Sequence, residues 1–297
     1  MNQTMSPATN GSTPEEAGGR LSAVNVKVDG GPPPARLQSR VRAFAISLGF
    51  ALIGIAGFVA LWAFVSWRSP DLPGPLDAWD SLTDLMSRPF ADSGPNGKGI
   101  GLQLFTSLWR TLRGFGFAAL VGIPIGLLIG SSKRAFQAVN PVVQILRPVS
   151  PLAWFPIGLV VLKDSPNAAV FVIFITALWP IVINTAAGAA SVPRDQHNVA
   201  RVFRFGKIAY LRQVVIPHSV PSIVTGLRLS MGVAWMVIVA VEMLSGGSGI
   251  GFFVWDSYNG GNLAAVMAAI ILIGLVGVSL DFVFLSAGRR YTGEVVR

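Results

Sequence analysis

The segment Arg194–Pro221, RDQHNVARVFRFGKIAYLRQVVIPHSVP, decides how the rest of the chain is read. It is basic and helix-compatible, and it lies between two uncharged runs long enough to cross a bilayer, so it reads as a loop between spans. Most such loops hold a few polar residues. This one carries apolar side chains at helical spacing and a proline that stops it, which points to a folded element that docks onto a partner. Wound as one helix from Asn198 to Arg212, it gathers Val199, Val202, Phe203 and Tyr210 on one side with Gly206 and sets Arg201, Arg204 and Arg212 opposite. An amphipathic helix lying among lipid headgroups has the same pattern, and periodicity alone leaves both readings open.

Composition agrees with a membrane setting. Of 297 residues, 52% are hydrophobic and only 12% charged, about half the usual charged fraction, which excludes an ordinary soluble domain. The net charge of +9 is spread between apolar runs and forms no nucleic-acid recognition element. The chain has no Cys and two His far from any carboxylate pair, which gives no basis for thiol chemistry or a metal site.

Outward from the loop, the pattern predicts six spans. Residues 1–41 read as a disordered cytoplasmic tail, poor in large apolar residues. Residues 42–101 hold the first span, Ala43–Trp67, and a proline-rich extracytoplasmic loop with a short helix near Trp79–Met86. A core follows over residues 102–288. Leu102–Arg113 reads as an amphipathic helix leading into a second span, Gly114–Gly130, where Gly122, Gly126 and Gly130 recur at the spacing that lets helices approach closely. A third span, Phe136–Leu162, is interrupted by Pro141, Pro148, Pro151 and Pro156, a feature tolerated only against protein or a water-filled cavity. The fourth is Ala168–Ala187 and the fifth Ser222–Leu244. A glycine-rich segment, Ser245–Asn262, reads as a partly re-entrant loop before the sixth span, Leu263–Ala287, and a tail over residues 289–297. With both termini inside, fifteen Lys/Arg fall on inner segments and six on outer ones, Arg110 and Arg113 among the latter, which favours an N-in, C-in topology.

The run from Asn198 to Trp235 resembles the "EAA" loop of permease subunits of ATP-binding-cassette (ABC) importers. Aligned on the closing Pro217, the family's Glu-Ala-Ala falls on Asn198, Val199 and Ala200, its glycine on Arg204, and its last apolar pair on Val214 and Ile216. The acidic residue is therefore Asn198, and the nearest glycine, Gly206, comes two positions late. LRPVSPLAWFPIGLVVLKD (Leu146–Asp164) is similar to the proline-rich span of nitrate, sulfonate, taurine and bicarbonate permeases. VAVEMLSGGSGIGFFVWDSYN (Val239–Asn259) looks most like the nitrate branch, and with Trp179–Thr185 the likeness covers about Leu102–Ala287.

The resemblance implies an all-α integral membrane protein, the transmembrane domain of a type I ABC importer in the bacterial inner membrane. It implies a subunit that is not itself an enzyme and binds no cofactor, ATP and Mg being used by cytoplasmic ATPase subunits. A periplasmic or lipid-anchored binding protein and a second permease copy, most simply an identical one, would complete the assembly. The implied coupling residues are Asn198, Val199, Ala200, Arg201, Val202, Phe203, Arg204, Gly206, Ile216 and Pro217.

No Walker-A spacing exists; Gly97-Lys98-Gly99 lacks the rest of a phosphate cradle. The polar residues inside spans carry the remaining information, since ionisable groups there are expensive and face a cavity or a partner. Candidate path residues are Arg147, Trp154, Asn184, Arg228, Trp235, Glu242 and Asp256. A guanidinium's planar fork suits a small planar oxyanion such as nitrate or nitrite, whereas Glu242 reads more readily as a helix-pairing or gating carboxylate than as a ligand, since it would repel the anion. Sulfonate, taurine, bicarbonate or cyanate import by the same architecture is the alternative in substrate, and an ATP-independent carrier or channel the alternative in class.

Overall fold

The computed structural model describes residues 35–92, 94 and 97–292, and among them regular structure is helical, with one isolated bridge pairing Asp92 and Lys98. The chain divides into two units, residues 1–57 and 58–297. The described part of the first belongs to helix α1 (Ala35–Arg68) and exposes large apolar side chains such as Phe50 and Ile53. Residues 35–41, expected within the tail, are its first turns; the rest of that tail lies outside the described residues.

In the second unit, α2 (Pro75–Ser87) starts where Pro75 presets the backbone and the Gly74 amide donates to the Asp77 carboxylate at 2.8 Å. Helix α3 (Ile100–Gly130) is continuous through Arg113 and Pro124. The division expected at Gly114 is absent: the helix runs through that glycine, which packs against α6 where a Cβ would lie 2.7 Å from Ile173. Helix α4 (Lys133–Leu146) also runs through its proline, Pro141. The chain then breaks at Arg147–Ser150, makes one 3-10 turn (Pro151–Trp154) and resumes as α5 (Phe155–Leu162) at 94° to α4. Pro148 and Pro151 deprive this stretch of two backbone donors, so the proline break expected in the third span falls here.

Helix α6 (Ser165–Ala190) is capped by Asp164, which accepts from the Asn167 amide at 2.9 Å. It forms the centre of the packing, with α3 along one side and α9 (Ile216–Ser245) along the other. The α3 glycines make this contact possible. A Cβ on Gly126 would lie 2.6 Å from the Thr185 Cβ, and one on Gly130 2.7 Å from the Ala189 Cβ. Ser230 on α9 donates to the Ala177 carbonyl of α6 at 2.8 Å, tying the second pair together.

Between α6 and α9 the expected single helix is two. Helix α7 (Arg194–Val202) ends in a turn, and α8 (Lys207–Tyr210) passes through a π-helical turn (Leu211–Val215) directly into α9. Pro217 follows the π-helical turn, in the first turn of α9, and Pro221 lies inside α9, so neither proline stops the segment. The glycine-rich stretch is likewise more regular than expected: after a turn at Gly246–Gly249, Ile250–Asn259 forms helix α10. Helix α11 (Leu263–Thr292) continues past the predicted end of the last span into the expected tail. Among the described residues five helices are long and apolar enough to cross a bilayer, six if the bent pair of α4 and α5 counts as one broken crossing.

Candidate substrate path and coupling face

The broken crossing places Arg147 beside the middle of α6. Its side chain is exposed and lines a cavity of about 240 Å³ with Trp154, Thr176, Trp179 and Val233 among the walls. Among the described residues no carboxylate lies within ion-pair distance of this guanidinium. Three groups from separate stretches of chain, the α4–α5 break, α6 and α9, thus meet around one unpaired cation.

Arg228 is placed differently. It forms a two-pronged pair with Asp281 of α11, at 2.6 and 2.7 Å, and both side chains remain largely exposed. The pair borders a second cavity of about 240 Å³ with Gly232, Trp235 and Gly277. Trp235 is buried and donates its indole N–H to the Ile273 carbonyl at 3.0 Å. Asn184 donates to the Pro180 carbonyl of its own helix at 2.8 Å. Asp256 is exposed on α10, next to the stacked rings of Trp255 and Tyr258.

Glu242 has no exposed surface and spends both oxygens on protein donors. Arg110 of α3 donates to one oxygen at 2.9 Å; Ser107 and the Gly251 amide donate to the other at 2.6 and 3.1 Å. Arg110 also holds the Ser248 carbonyl at 2.6 Å, while Gln103 accepts from the Gly249 amide at 2.6 Å and Ser107 from the Ile250 amide at 2.8 Å. The free amides at the start of α10 are therefore satisfied by side chains of α3 and α9. Gly249, at φ 121, could carry no Cβ without striking the Glu242 carboxylate. Arg110 was expected on an outer segment. It is 8% exposed on α3, its burial compensated by Glu242. The spacing of Gln103, Ser107 and Arg110, one helical stripe, was the signal available in the sequence.

At the other end of the α6–α9 pair, α7 and α8 present Val199, Val202, Phe203 and Ile208, each more than half exposed. His197 and Tyr210 meet edge to face at 5.5 Å, joining the two short helices. The turn between them is closed by the Phe205 amide on the Ala200 carbonyl at 2.9 Å and the Arg204 amide on the Arg201 carbonyl at 3.0 Å. That bonding requires a left-handed residue, and Arg204 supplies it at φ 53. Ala200 and Val215 are buried, whereas Asn198, Arg201 and Arg204 are exposed.

With this geometry in place, comparison with known proteins is specific. Residues 122–292 match the profile of the family described as "Binding-protein-dependent transport system inner membrane component". The chain belongs to that family. It is 46% identical over 230 residues to the nitrate import permease protein NrtB of Synechocystis sp., covering 77% of this chain and 84% of that one. It is 45% identical over 234 residues to the bicarbonate transport system permease protein CmpB of Synechococcus elongatus, with the same coverage of 77% and 84%. Among solved structures it resembles a chain of the MetNI methionine ABC transporter in an inward-facing conformation, with a TM-score of 0.59 at 16% identity, covering 71% of this chain and 98% of that one. The fold is that of a type I ABC importer transmembrane domain. The chain is the non-catalytic, multi-pass permease subunit of an ABC importer in the inner membrane, a role that implies ATPase and substrate-binding partners.

Proposed function

We propose that this permease carries nitrate or nitrite inward, using ATP hydrolysed with Mg by a partner ATPase. The observation that carries the reading is the unpaired Arg147 guanidinium at the broken crossing. A cation without a counter-ion at the middle of a span is costly, and an anion in transit relieves that cost. The guanidinium fork offers paired N–H groups to two oxygens of a planar oxyanion. Arg228, already satisfied by Asp281, is a structural partner on this reading, and so is Glu242.

In this scheme both termini and the α7–α8 segment lie in the cytoplasm, and two identical permease subunits enclose the path. The apolar row Val199, Val202, Phe203 seats on the ATPase, with Arg201 and Arg204 at its rim. Closure of the ATPase pair moves α7 and α8, and through the unbroken α8–α9 connection it tilts the α6–α9 pair. The similarity to CmpB supports bicarbonate as a second reading, because it is as extensive as that to NrtB.

Uptake of labelled nitrate, bicarbonate, cyanate and taurine into proteoliposomes holding the permease with its ATPase and binding protein tests the assignment. Nitrate uptake that depends on trapped ATP is expected, with a loss of tenfold or more in Arg147→Gln. Uptake by the permease alone would replace this reading with a carrier or channel. Uptake of bicarbonate without nitrate would replace the substrate.

A further inference from the structure

The cavity at the broken crossing contains more than its arginine. Trp154, from the 3-10 turn, and Trp179, from α6, both line it. Elsewhere in this unit the indole N–H groups of Trp62 and Trp235 reach carbonyl acceptors. Among the described residues those of Trp154 and Trp179 have none, although both rings are partly buried. Neither nitrogen is a buried atom without a partner, so each keeps accessible surface, and both side chains border the cavity. The third polar wall residue, Thr176, has committed its proton to the Val172 carbonyl at 2.7 Å.

We infer that Arg147, Trp154 and Trp179 form a resting site inside the permease for a weakly hydrated monoanion, one that presents acceptors and little else. The inference rests on the anion reading above and deepens it. A guanidinium contributes only donors, and so does an indole. Three such groups around a small void select a ligand that accepts hydrogen bonds. The apolar remainder of the wall, Val149, Ile175, Val233 and two prolines, repays little of the hydration that a strongly hydrated anion must shed. Nitrate spreads one charge over three equivalent oxygens and carries no proton. Bicarbonate holds water more tightly, and the one side-chain acceptor this wall offers its O–H is the buried Thr176 hydroxyl oxygen. The site therefore favours nitrate between these two planar ions of similar size, by the rule that a buried polar group left unpaired penalises the wrong ligand.

Thiocyanate, a weakly hydrated monoanion, is the probe. Proteoliposomes containing permease and ATPase are loaded with ATP, Mg and increasing thiocyanate, and labelled nitrate with its binding protein is supplied outside. Trapped thiocyanate is expected to inhibit uptake from the inward-facing side. In Trp154→Phe and Trp179→Phe, which keep a ring and lose the N–H, the inhibitory concentration is expected to rise about tenfold. In Trp109→Phe, on the exposed face of α3 away from the cavity, it stays at the wild-type value. Assembly is checked by size-exclusion chromatography, and if one variant fails to assemble the other carries the comparison together with Arg147→Gln. Equal inhibition of wild type and both tryptophan variants, or none at all, overturns the site while leaving nitrate import standing. The expected shifts seen with bicarbonate as the only transported ion would keep an anion site at these residues and overturn both its preference for nitrate and the nitrate assignment.

Discussion

Arg204 holds a left-handed backbone conformation at the position where the family resemblance expects glycine. A side chain there costs about 1–2 kcal/mol against the right-handed region, and the turn tolerates it because two backbone hydrogen bonds close around it. A β-branched residue is stiffer still. Arg204→Val is therefore expected to lower the thermal midpoint of the purified complex, and Arg204→Gly to leave it unchanged or raise it slightly. Glu242 poses the opposite case, a charge held by its neighbours. Glu242→Ala leaves Arg110 buried without a counter-charge and is expected to cost about 3–5 kcal/mol. Glu242→Gln keeps an acceptor for Ser107 and the Gly251 amide and should lose less, as read by thermal unfolding in detergent. Neither arrangement was legible from the chain alone. An arginine gives no local sign of a left-handed turn, and Arg110 and Glu242 are 132 positions apart, so only the polar stripe Gln103, Ser107, Arg110 hinted that one face of α3 meets another polar group.

At the scale of elements, the contact between α3 and α6 was written most plainly in the sequence. Glycines at every fourth position specify a helix face on which another backbone can lie, and that is where Thr185 and Ala189 are found. Gly126→Leu would force side-chain atoms into the α6 backbone around Val182. The expected destabilisation is about 1–3 kcal/mol, measurable as a lower thermal midpoint, with reduced yield of assembled complex. The proline break was legible for the same reason, since Pro148 and Pro151 remove donors wherever they lie. The helix over Ile250–Asn259 was not. Its glycines at 246, 247, 249 and 251 read as disruption, but the first three lie in the turn before the helix, and Gly251 fits against Val239 and Glu242. Amphipathic winding of Asn198–Arg212 failed because periodicity counts side chains and is blind to a single residue that reverses the backbone.

For the whole molecule, the proposal requires force to enter at α7–α8 and substrate to pass at the α4–α5 break. Phe203 is 70% exposed at the first of these. Phe203→Asp is expected to leave the permease folded, by its unchanged thermal midpoint, and to reduce ATP-driven uptake and co-purification of the ATPase by tenfold or more. Unchanged co-purification would mean that the row of exposed apolar side chains serves the membrane surface instead.

The interrupted crossing has a further consequence. The Ser150 amide has no acceptor among the described residues and lies at the bend between α4 and α5, a pair apolar enough together for one crossing. Water must reach it for the chain to remain there. In deuterated buffer this stretch should take up label within seconds, while Ala168–Ala186 of α6 stay protected for hours. Mass spectrometry would then show a wet notch at the depth where the surrounding protein is driest.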